Sequence, residues 1–460
     1  MSKNKKTLII ALGVLALLGG MYFWSITRNS KEADSVLPDY TPPPILGNLE
    51  SSKIVKIELN GMVFEKNDGS WELTSLEGGT VPGGIELDQL KIQYMTFSLT
   101  SVWTEKVIDE APSDVSQYGL DKPSYRACVI DSAGQKAEYI LGDMTPSKIF
   151  YYIMETGDPK VYSISSYTTE YMRFTLDNLR QKFLFPAFDL PELVRIRLES
   201  RLAKIEITNK PPDFRPDQAF FSSHLVTSPY TRPRGTDAEA LNKLLAPFMD
   251  LTIEDFVDDA PSSLKPYGLD DPVRIFLVTQ EESLDLLIGS AIGGKRYAKL
   301  AGAPGVFTLN DMESVVNVKP FTLIEKFAFI VNIDWVDHLS ISGGEKNLSA
   351  DLRKEGDDSV FFLNGRKANT DSFRTFYQAV IGLLADAEYP GPARQNDNSG
   401  ELSFEYRLNN PPGERAAFTL IPYDRDFYAL RQDGATEFLI SRNQVRRIYE
   451  AADALIYDDN

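Results

Sequence analysis

The sequence has little of the two residue types that most often build reactive centres. It contains one cysteine, Cys128, and two histidines, His224 and His338, in 460 residues. A single cysteine excludes an intramolecular disulfide, and two isolated histidines do not provide the paired ligands of a zinc site. The Gly-x-Ser-x-Gly elbow of many serine hydrolases is also missing. We therefore expect no metal, no cofactor and no catalytic residues.

Long hydrophobic runs are missing too, apart from one at the N-terminus. Residues 7–26, TLIIALGVLALLGGMYFWSI, carry no charge, and basic residues flank them on both sides. Twenty helical residues span about 30 Å, one hydrocarbon core. We predict that residues 1–28 form a cytoplasmic tail and a single transmembrane helix in the cytoplasmic (inner) membrane, with the body on the extracytoplasmic, periplasmic side. The alternative is a cleaved signal peptide, whose apolar region is usually shorter and ends in small residues.

The net charge of the chain is −18, and every charged residue up to Arg28 is basic, so the body is more acidic still. Such a body repels nucleic acid and anionic lipid. Residues 29–52 contain Pro38 and the triplet Pro42, Pro43 and Pro44. This composition favours extended backbone and predicts a stalk.

Beyond the stalk the sequence repeats itself. Residues 88–123 align without a gap on residues 237–272, and the match continues through ILG and LIG, Tyr152 and Tyr297, and QKF and EKF. A third, weaker copy is indicated by VDHLSI (336–341), which we align with IVKIEL (54–59) and LAKIEI (202–207). We predict three tandem units, residues 53–188, 189–331 and 332–460.

The pattern inside each unit predicts an α+β fold with mainly antiparallel sheets. Apolar and polar residues alternate in segments such as IVKIEL, as expected for half-buried strands. Leu90, Tyr94 and Phe97 recur at helical spacing, as do Leu241, Leu244, Leu245 and Phe248 in the second unit. We predict a helix in each, packed on the strands through these residues.

The phrase YGLDKP (118–123) returns as YGLDDP (267–272), and we interpret both as structural corners. Glycine accepts positive φ and proline favours extended backbone before it, so the phrase turns the chain into a strand. The tyrosine is expected to pack on the core. The alternative is a pair of docking sites for a partner. The residues concerned are Tyr118, Gly119, Leu120, Asp121, Pro123, Tyr267, Gly268, Leu269, Asp270 and Pro272.

Several other segments resemble functional motifs, but a structural explanation is favoured for each. GSAIGGK (289–295) has the spacing of a P-loop, yet Arg296 stands where Ser or Thr should follow, so we predict a hairpin loop. Cys128, aligned opposite Leu277 in a strand, is predicted to be a buried thiol. His338 is predicted to face solvent. His224 has no visible partner, and a catalytic role stays open.

Two acidic pairs, Asp109-Glu110 and Asp258-Asp259, each precede Ala-Pro-Ser. We interpret them as caps of a short helical turn starting at Pro112 or Pro261. A carboxylate acid and base pair, as in a glycosidase, is the alternative.

The apolar N-terminal run, the proline-rich stalk, the twin YGLDxP corners and the LRQKF and IEKF pieces together resemble the domain-of-unknown-function 4340 family of bacterial membrane-anchored proteins. The resemblance implies a companion of a gliding-type ABC transport system, with its permease or auxiliary subunit as partner, and brings no catalytic residues. We therefore expect a non-enzymatic accessory or scaffold protein. The alternatives are an envelope hydrolase with carboxylates and His224 in a cleft between units, or a binding module using exposed aromatics such as Tyr151 and Tyr230.

Overall fold

The computed structural model describes residues 42–201, 203–212, 221–355, 358–392, 400–410 and 412–458. The predicted anchor (1–28) and the stalk up to residue 41 lie outside these ranges and remain predictions. Over the described ranges, we find no helix with the length and hydropathy needed to cross a membrane.

The chain folds as three successive repeats of strands with few helices. The elements of the first repeat are β1 (Ile45–Gly47), β2 (Ile54–Leu59), β3 (Met62–Asn67), β4 (Ser70–Leu76), α1 (Gln89–Thr100), β5 (Ser101–Trp103), β6 (Lys106–Asp109), β7 (Tyr125–Asp131), β8 (Lys136–Met144), β9 (Phe150–Glu155), β10 (Val161–Ser165) and α2 (Leu176–Leu179).

The second repeat has one additional strand. Its elements are β11 (Phe183–Phe185), β12 (Leu193–Glu199), β13 (Lys204–Asn209), β14 (His224–Ser228), β15 (Arg234–Gly235), α3 (Ala238–Leu245), β16 (Leu251–Thr252), β17 (Phe256–Asp258), β18 (Val273–Thr279), β19 (Ser283–Ile292), β20 (Lys295–Leu300), β21 (Val306–Leu309) and α4 (Glu313–Val316).

The third repeat is built in the same way. Its elements are β22 (Val336–Ser342), β23 (Leu348–Glu355), β24 (Asp358–Leu363), β25 (Arg366–Ala368), α5 (Thr370–Ile381), β26 (Ala387–Glu388), β27 (Leu402–Asn409), β28 (Pro412–Pro422), β29 (Phe427–Gln432), β30 (Ala435–Ser441) and α6 (Arg442–Asp453).

Each repeat has one large antiparallel sheet, and the three sheets share one topology. The strand orders are β4-β3-β2-β7-β8-β9-β10-β6, β15-β14-β13-β12-β18-β19-β20-β21-β17 and β25-β24-β23-β22-β27-β28-β29-β30-β26. In each, the first strands run outward to one edge, a helix carries the chain to the opposite edge, and a return to the centre starts a four-strand meander. The predicted α+β class with mainly antiparallel pairing is confirmed.

The strands at the centre of the three sheets share an irregularity that fixes their correspondence. Pairing shifts by one residue just after Ile54 in β2, after Leu193 in β12 and after Val336 in β22. The strand equivalent to IVKIEL is therefore LVRIRL (193–198). The predicted alignment of LAKIEI with IVKIEL is wrong, because LAKIEI contributes to β13, the next strand along the chain.

A short strand before each of the first two large sheets, which we call the entry strand, pairs with the segment that follows the helix, and a single bridge takes its place in the third repeat. β1 pairs with β5 and β11 with β16, and in the third repeat Phe327 bridges to Leu384. The phrases QKF and EKF thus begin a repeat and do not close the preceding one. Ile45–Gly47, within the predicted stalk, is already part of the first repeat.

The first long helix of each repeat lies where it is predicted, but α1 buries a different side from the expected one. Ile92, Met95 and Leu99 are buried, as are Leu241 and Leu244 of α3. Leu90, Tyr94 and Phe97 are instead 66%, 63% and 67% exposed. The prediction of these three as core residues is wrong, because α1 is apolar on two sides and the sheet uses only one.

The described chain divides into two compact units. One comprises the residues up to Val81 with Gln89–Leu179, and the other comprises Pro82–Asp88 with the chain from Arg180 onward. The second unit thus holds two repeats, and one hydrophobic cluster runs through both, from Phe185 to Leu455.

Within the second unit, an aromatic and cationic joint connects the second and third repeats. The Tyr230 hydroxyl donates to Glu388 (2.7 Å), and its ring lies 5.1 Å from that of Phe438. The buried Arg234 guanidinium lies 4.9 Å from the same Phe438 ring. Burial lowers the pKa of Arg234 to about 10, so the arginine stays charged at neutral pH.

Replacing Phe438 tests whether these two repeats share one core. Phe438 is 1% exposed, so we expect Phe438→Ala to lower the free energy of unfolding by about 3–5 kcal/mol through the cavity it leaves. Urea denaturation followed by circular dichroism measures this. The control is Ile456→Ala at a 63% exposed position, expected to change stability by less than about 0.5 kcal/mol. Equal effects of the two substitutions would contradict the shared core.

Candidate functional site

Both YGLDxP corners lie on a crossover that takes the chain from the edge of a sheet to its centre. In the first repeat the edge strand β6 neighbours β10, whereas the strand after the corner, β7, lies between β2 and β8. The chain therefore has to pass β10, β9 and β8. The crossover from β17 to β18 in the second repeat is identical in topology.

Each corner tyrosine connects the edge strand with one of the strands that the chain passes. The Tyr118 ring lies 5.0 Å from that of Tyr152 in β9, and the Tyr267 ring lies 5.1 Å from that of Tyr297 in β20. The Tyr118 hydroxyl donates to Asp109 Oδ2 of the edge strand, at 3.0 Å. The bond from Tyr267 to Asp258 Oδ2 is 2.8 Å. The pKa of both tyrosines is raised, chiefly because the protonated hydroxyl donates a hydrogen bond to the aspartate carboxylate.

The backbone of the corner requires glycine at two places. Gly119 and Gly268 have φ of 68° and 65°, in the left-handed region. Gly142 in β8 and Gly289 in β19 lie directly against the corner backbone. A Cβ added to them would lie 2.2 Å and 2.1 Å from the carbonyl oxygens of Tyr118 and Tyr267. The matching ILG and LIG phrases carried this signal, which sequence reasoning did not connect with the corner.

The remaining corner residues divide into buried and exposed positions. Leu120 and Leu269 are buried. Pro123 and Pro272 are half-buried at the approach to β7 and β18, while Asp121 and Asp270 are exposed. The side chains with the most surface for an outside partner are thus the two aspartates.

The acidic pairs next to the corners act within the fold, but not as predicted. Asp109 Oδ1 accepts from the Ala111 amide, at 3.1 Å, and Asp258 Oδ1 from the Ala260 amide, at 3.0 Å. These bonds cap a turn. The predicted helical turn at Pro112 or Pro261 is wrong, since the short 3₁₀ turn begins at Ser116 or Lys265. The two aspartates therefore stabilise the start of the crossover.

The second member of each pair forms an ion pair. Glu110 lies 2.6 Å from Lys160, and Asp259 lies 2.6 Å from the largely buried Arg180, whose guanidinium also covers the Phe256 ring at 3.6 Å. All four carboxylates of the two pairs therefore have structural partners.

His224 is buried at the start of β14, and both ring nitrogens have partners. Nε2 donates to the Leu193 carbonyl (3.3 Å), which leaves Nδ1 to accept from the Ser223 hydroxyl (3.0 Å). Burial lowers the pKa of His224. The ring is thus a neutral imidazole in contact with an exposed serine, an arrangement that the sequence did not reveal.

A polar group that sequence reasoning missed lies nearby. Glu325, in the phrase IEKF, accepts from the amides of Phe221 and Ser222 at 2.9 Å and 2.8 Å. Burial raises the pKa of this carboxyl group. The Ser222 hydroxyl in turn bonds that of Thr236. The glutamate therefore fastens the strand start beside His224, a role that the aligned Gln181 gave no reason to expect.

The segment GSAIGGK and Cys128 both have the structural roles predicted for them. Gly293 and Gly294 form the tip of the hairpin between β19 and β20, as expected for GSAIGGK. Cys128 is buried and burial raises the pKa of its thiol. Strand pairing, however, places Val129 and not Cys128 at the position of Leu277, because the segment after the corner is one residue longer in the first repeat.

His338 and the aromatic candidates are less exposed than predicted. His338 Nδ1 lies 2.9 Å from Asp351, and the side chain is only partly exposed. Tyr230 is buried in the joint described above, so the prediction that it is exposed is wrong. Tyr151 is half-buried beneath Arg173. In the part of the chain that the structure places, no three His, Cys, Asp or Glu side chains cluster as a metal site would require.

The close approach at Gly289 can be tested by adding one methyl group. We expect Gly289→Ala to lower the free energy of unfolding by about 1–3 kcal/mol, because the new Cβ overlaps a backbone oxygen that cannot move without the corner. Guanidinium denaturation of the two proteins measures the loss. Gly302→Ala, at a position with open space for a Cβ, is the matched control; a similar loss in both variants would show that the contact has no special role.

The burial of His224 predicts an acid-dependent loss of stability. Because the folded-state pKa lies below the unfolded one, the unfolded chain binds the extra proton first as pH falls through the unfolded pKa, about 6.5. Stability should therefore decrease from pH 7 towards pH 5, by at most about 1.4 kcal/mol per pH unit for this proton. Denaturation curves at several pH values should show that the pH-dependent loss of stability assigned to His224 is missing in His224→Gln and retained in His338→Gln. Identical profiles in the wild type and His224→Gln would contradict the assignment.

Comparison with known proteins identifies a family and leaves its biochemical role open. No curated protein and no solved structure matches the chain. The model of one family, described as Domain of unknown function (DUF4340), matches twice, over residues 71–257 and 225–390. Each match begins on the third sheet strand of a repeat and continues to the edge strand of the next, or just beyond it. Because the two matches together cover well over half of the 460 residues, the chain belongs to the DUF4340 family.

Proposed function

We propose that this protein is a single-pass, membrane-anchored accessory or scaffold protein that presents its repeats on the extracytoplasmic side of the cytoplasmic membrane. Its partner would be a membrane complex, with an ABC-type transport system as the first candidate. The observation that supports this proposal is the repetition of one sheet, with one connectivity, three times along the chain. Serial copies of a packed module build extended interaction surfaces.

The use of the repeated residues supports a scaffold as well. The features common to the first two repeats are bonds and contacts that hold the crossover: Tyr118 to Asp109, Tyr267 to Asp258, and the two close glycine contacts. Two positions that could serve in catalysis, Asp109 and Asp258, are thereby engaged in shaping backbone. A partner protein would bind the exposed surface of these rigid repeats.

The proposed location is based on the N-terminal sequence, and the proposed partner is based on the family resemblance. Residues 7–26 have the length and composition of a membrane-spanning helix. Members of the family resemble companions of gliding-type ABC transport systems, which favours a permease or its auxiliary subunit as the binding partner. A strongly acidic body fits such a role better than binding to nucleic acid.

An envelope hydrolase is the second candidate, and the contact between Ser223 and His224 favours it. A serine hydroxyl that donates to an imidazole has the arrangement of a nucleophile and its general base, which a third group usually orients. The other imidazole nitrogen, however, donates to the Leu193 carbonyl and not to a carboxylate. The ring is also buried at the strand start, so we rank this candidate below the scaffold.

Crosslinking in intact membranes tests the proposal. The full-length protein, treated with a lysine-reactive crosslinker before solubilisation, should yield crosslinked peptides with subunits of a membrane transport complex, identified by mass spectrometry. The control is the double variant Leu15→Lys, Leu18→Lys, in which two charges at the centre of the apolar run make insertion unfavourable. We expect the control to lose these crosslinks.

Two outcomes would overturn the scaffold proposal. One is a wild-type protein that gives no crosslink to any transporter or envelope protein. The other is hydrolysis of a cell-wall glycan or peptide substrate by the purified protein that is abolished in both Ser223→Ala and His224→Gln, with folding of the variants shown by circular dichroism.

A further inference from the structure

The side of α1 that faces away from the sheet is apolar. Leu90, Tyr94 and Phe97, spaced at i, i+4 and i+7, lie along one side of the helix and are the exposed residues noted above. We call these three residues the α1 outer face. Helices on a protein surface normally carry polar residues on this side.

The other two repeats show that the fold does not require an apolar outer face. The buried positions agree among the three helices, for example Ile92, Leu241 and Phe373. At the outer positions, however, the second repeat has Glu239 and Lys243 in α3 and Ala246 directly after it, and α5 has Asp371, Thr375 and Gln378, all of them exposed. The three apolar side chains are thus specific to the first repeat, and packing does not explain them.

Two further exposed apolar residues lie where the N-terminal segment enters the first repeat. β5 follows α1 directly and pairs with β1, which starts only three residues after the first described residue, Pro42. In this pair Ile45 lies opposite Trp103, and their side chains are 46% and 56% exposed. The end of α1 therefore lies next to the place where the chain enters the repeat.

We propose that the α1 outer face, with Ile45 and Trp103, docks on the surface of the lipid bilayer. This inference rests on the proposed anchoring of residues 7–26. The residue types fit, because leucine and phenylalanine enter the acyl boundary while tyrosine and tryptophan favour the headgroup region. The repeat that carries them is the one into which the anchored segment runs.

The segment between the anchor and β1 is short enough for this docking. Proline-rich linkers span at most about 3.1 Å per residue, so a linker with the length of residues 29–44 would keep the repeat within some tens of ångströms of the anchor. A tether of this length keeps the α1 outer face at high effective concentration near the lipid. Weak apolar contacts then suffice to hold the repeat against the surface.

The acidic character of the chain determines which interaction can drive docking on the bilayer. With a net charge of −18, the protein gains nothing from anionic headgroups, so apolar insertion and not charge attraction has to drive contact. Docking is therefore expected on zwitterionic lipid and is expected to persist at high salt, where an electrostatic contact would weaken.

Spin labelling of the full-length protein in phosphatidylcholine vesicles tests this inference. In a Cys128→Ala background, a nitroxide is attached at Gln93→Cys, next to the α1 outer face, or at Asn242→Cys, the aligned exposed position of α3. Power saturation compares collisions with oxygen, which enriches in lipid, and with a water-soluble nickel chelate. We expect severalfold lower nickel accessibility at position 93 than at position 242, unchanged by added salt.

A variant that copies the second repeat provides the matched control. Leu90→Glu, Tyr94→Lys, Phe97→Ala introduces the aligned residues of the second repeat at exposed positions, so the fold should be retained. We expect it to raise the nickel accessibility at position 93 to that at position 242, while the protein still floats with vesicles after carbonate extraction.

The outcomes separate this inference from the anchor on which it rests. If the wild type fails to float with the vesicles, the proposed anchor fails and the docking with it. If it floats but positions 93 and 242 are equally accessible, the anchor stands and the docking is wrong. Protection at position 93 that remains in detergent and grows with protein concentration would show that a second copy covers the face, which also overturns the inference.

Discussion

The fold depends on how the chain returns from the edge of each sheet to its centre. Three strands lie in the way, and the chain passes them by pressing a carbonyl oxygen against a glycine of β8 or β19 while a tyrosine packs on the next strand. The same tyrosine bonds the aspartate of the edge strand. The crossover thus holds the edge strand and also positions the first strand of the meander.

The sequence allowed the turn at the corner to be predicted, because Tyr118 and Gly119 recur at the aligned positions of the second repeat. It did not predict the contact of Tyr118 with Tyr152 or its bond to Asp109, which join segments that are distant along the chain. Other features depend on pairing between distant segments. The strand LVRIRL was missed because LAKIEI has the same alternation, and only its partners distinguish the two. Val129, and not the predicted Cys128, is equivalent to Leu277, because one additional residue after the corner shifts every following side chain to the other face of the strand.

The side of α1 that packs on the sheet could not be read from spacing, since Leu90, Tyr94 and Phe97 are spaced as regularly as Ile92, Met95 and Leu99. Once the buried side is known, the repeats serve as references for one another. Positions that agree among them maintain the sheet, whereas the α1 outer face differs from its equivalents in chemical character. Ser223 with His224 is a similar local feature of the second repeat.

The entry strand limits how such a chain can be lengthened by duplication. Phe183–Phe185 follows the last elements of the first repeat in sequence, yet it pairs with β16 of the second. A duplicated segment that began at the large sheet would lack this strand and leave the partner edge open to other chains. A repeat added by duplication should therefore include the residues ahead of its large sheet, from near Arg180 in the second repeat and from near Lys326 in the third.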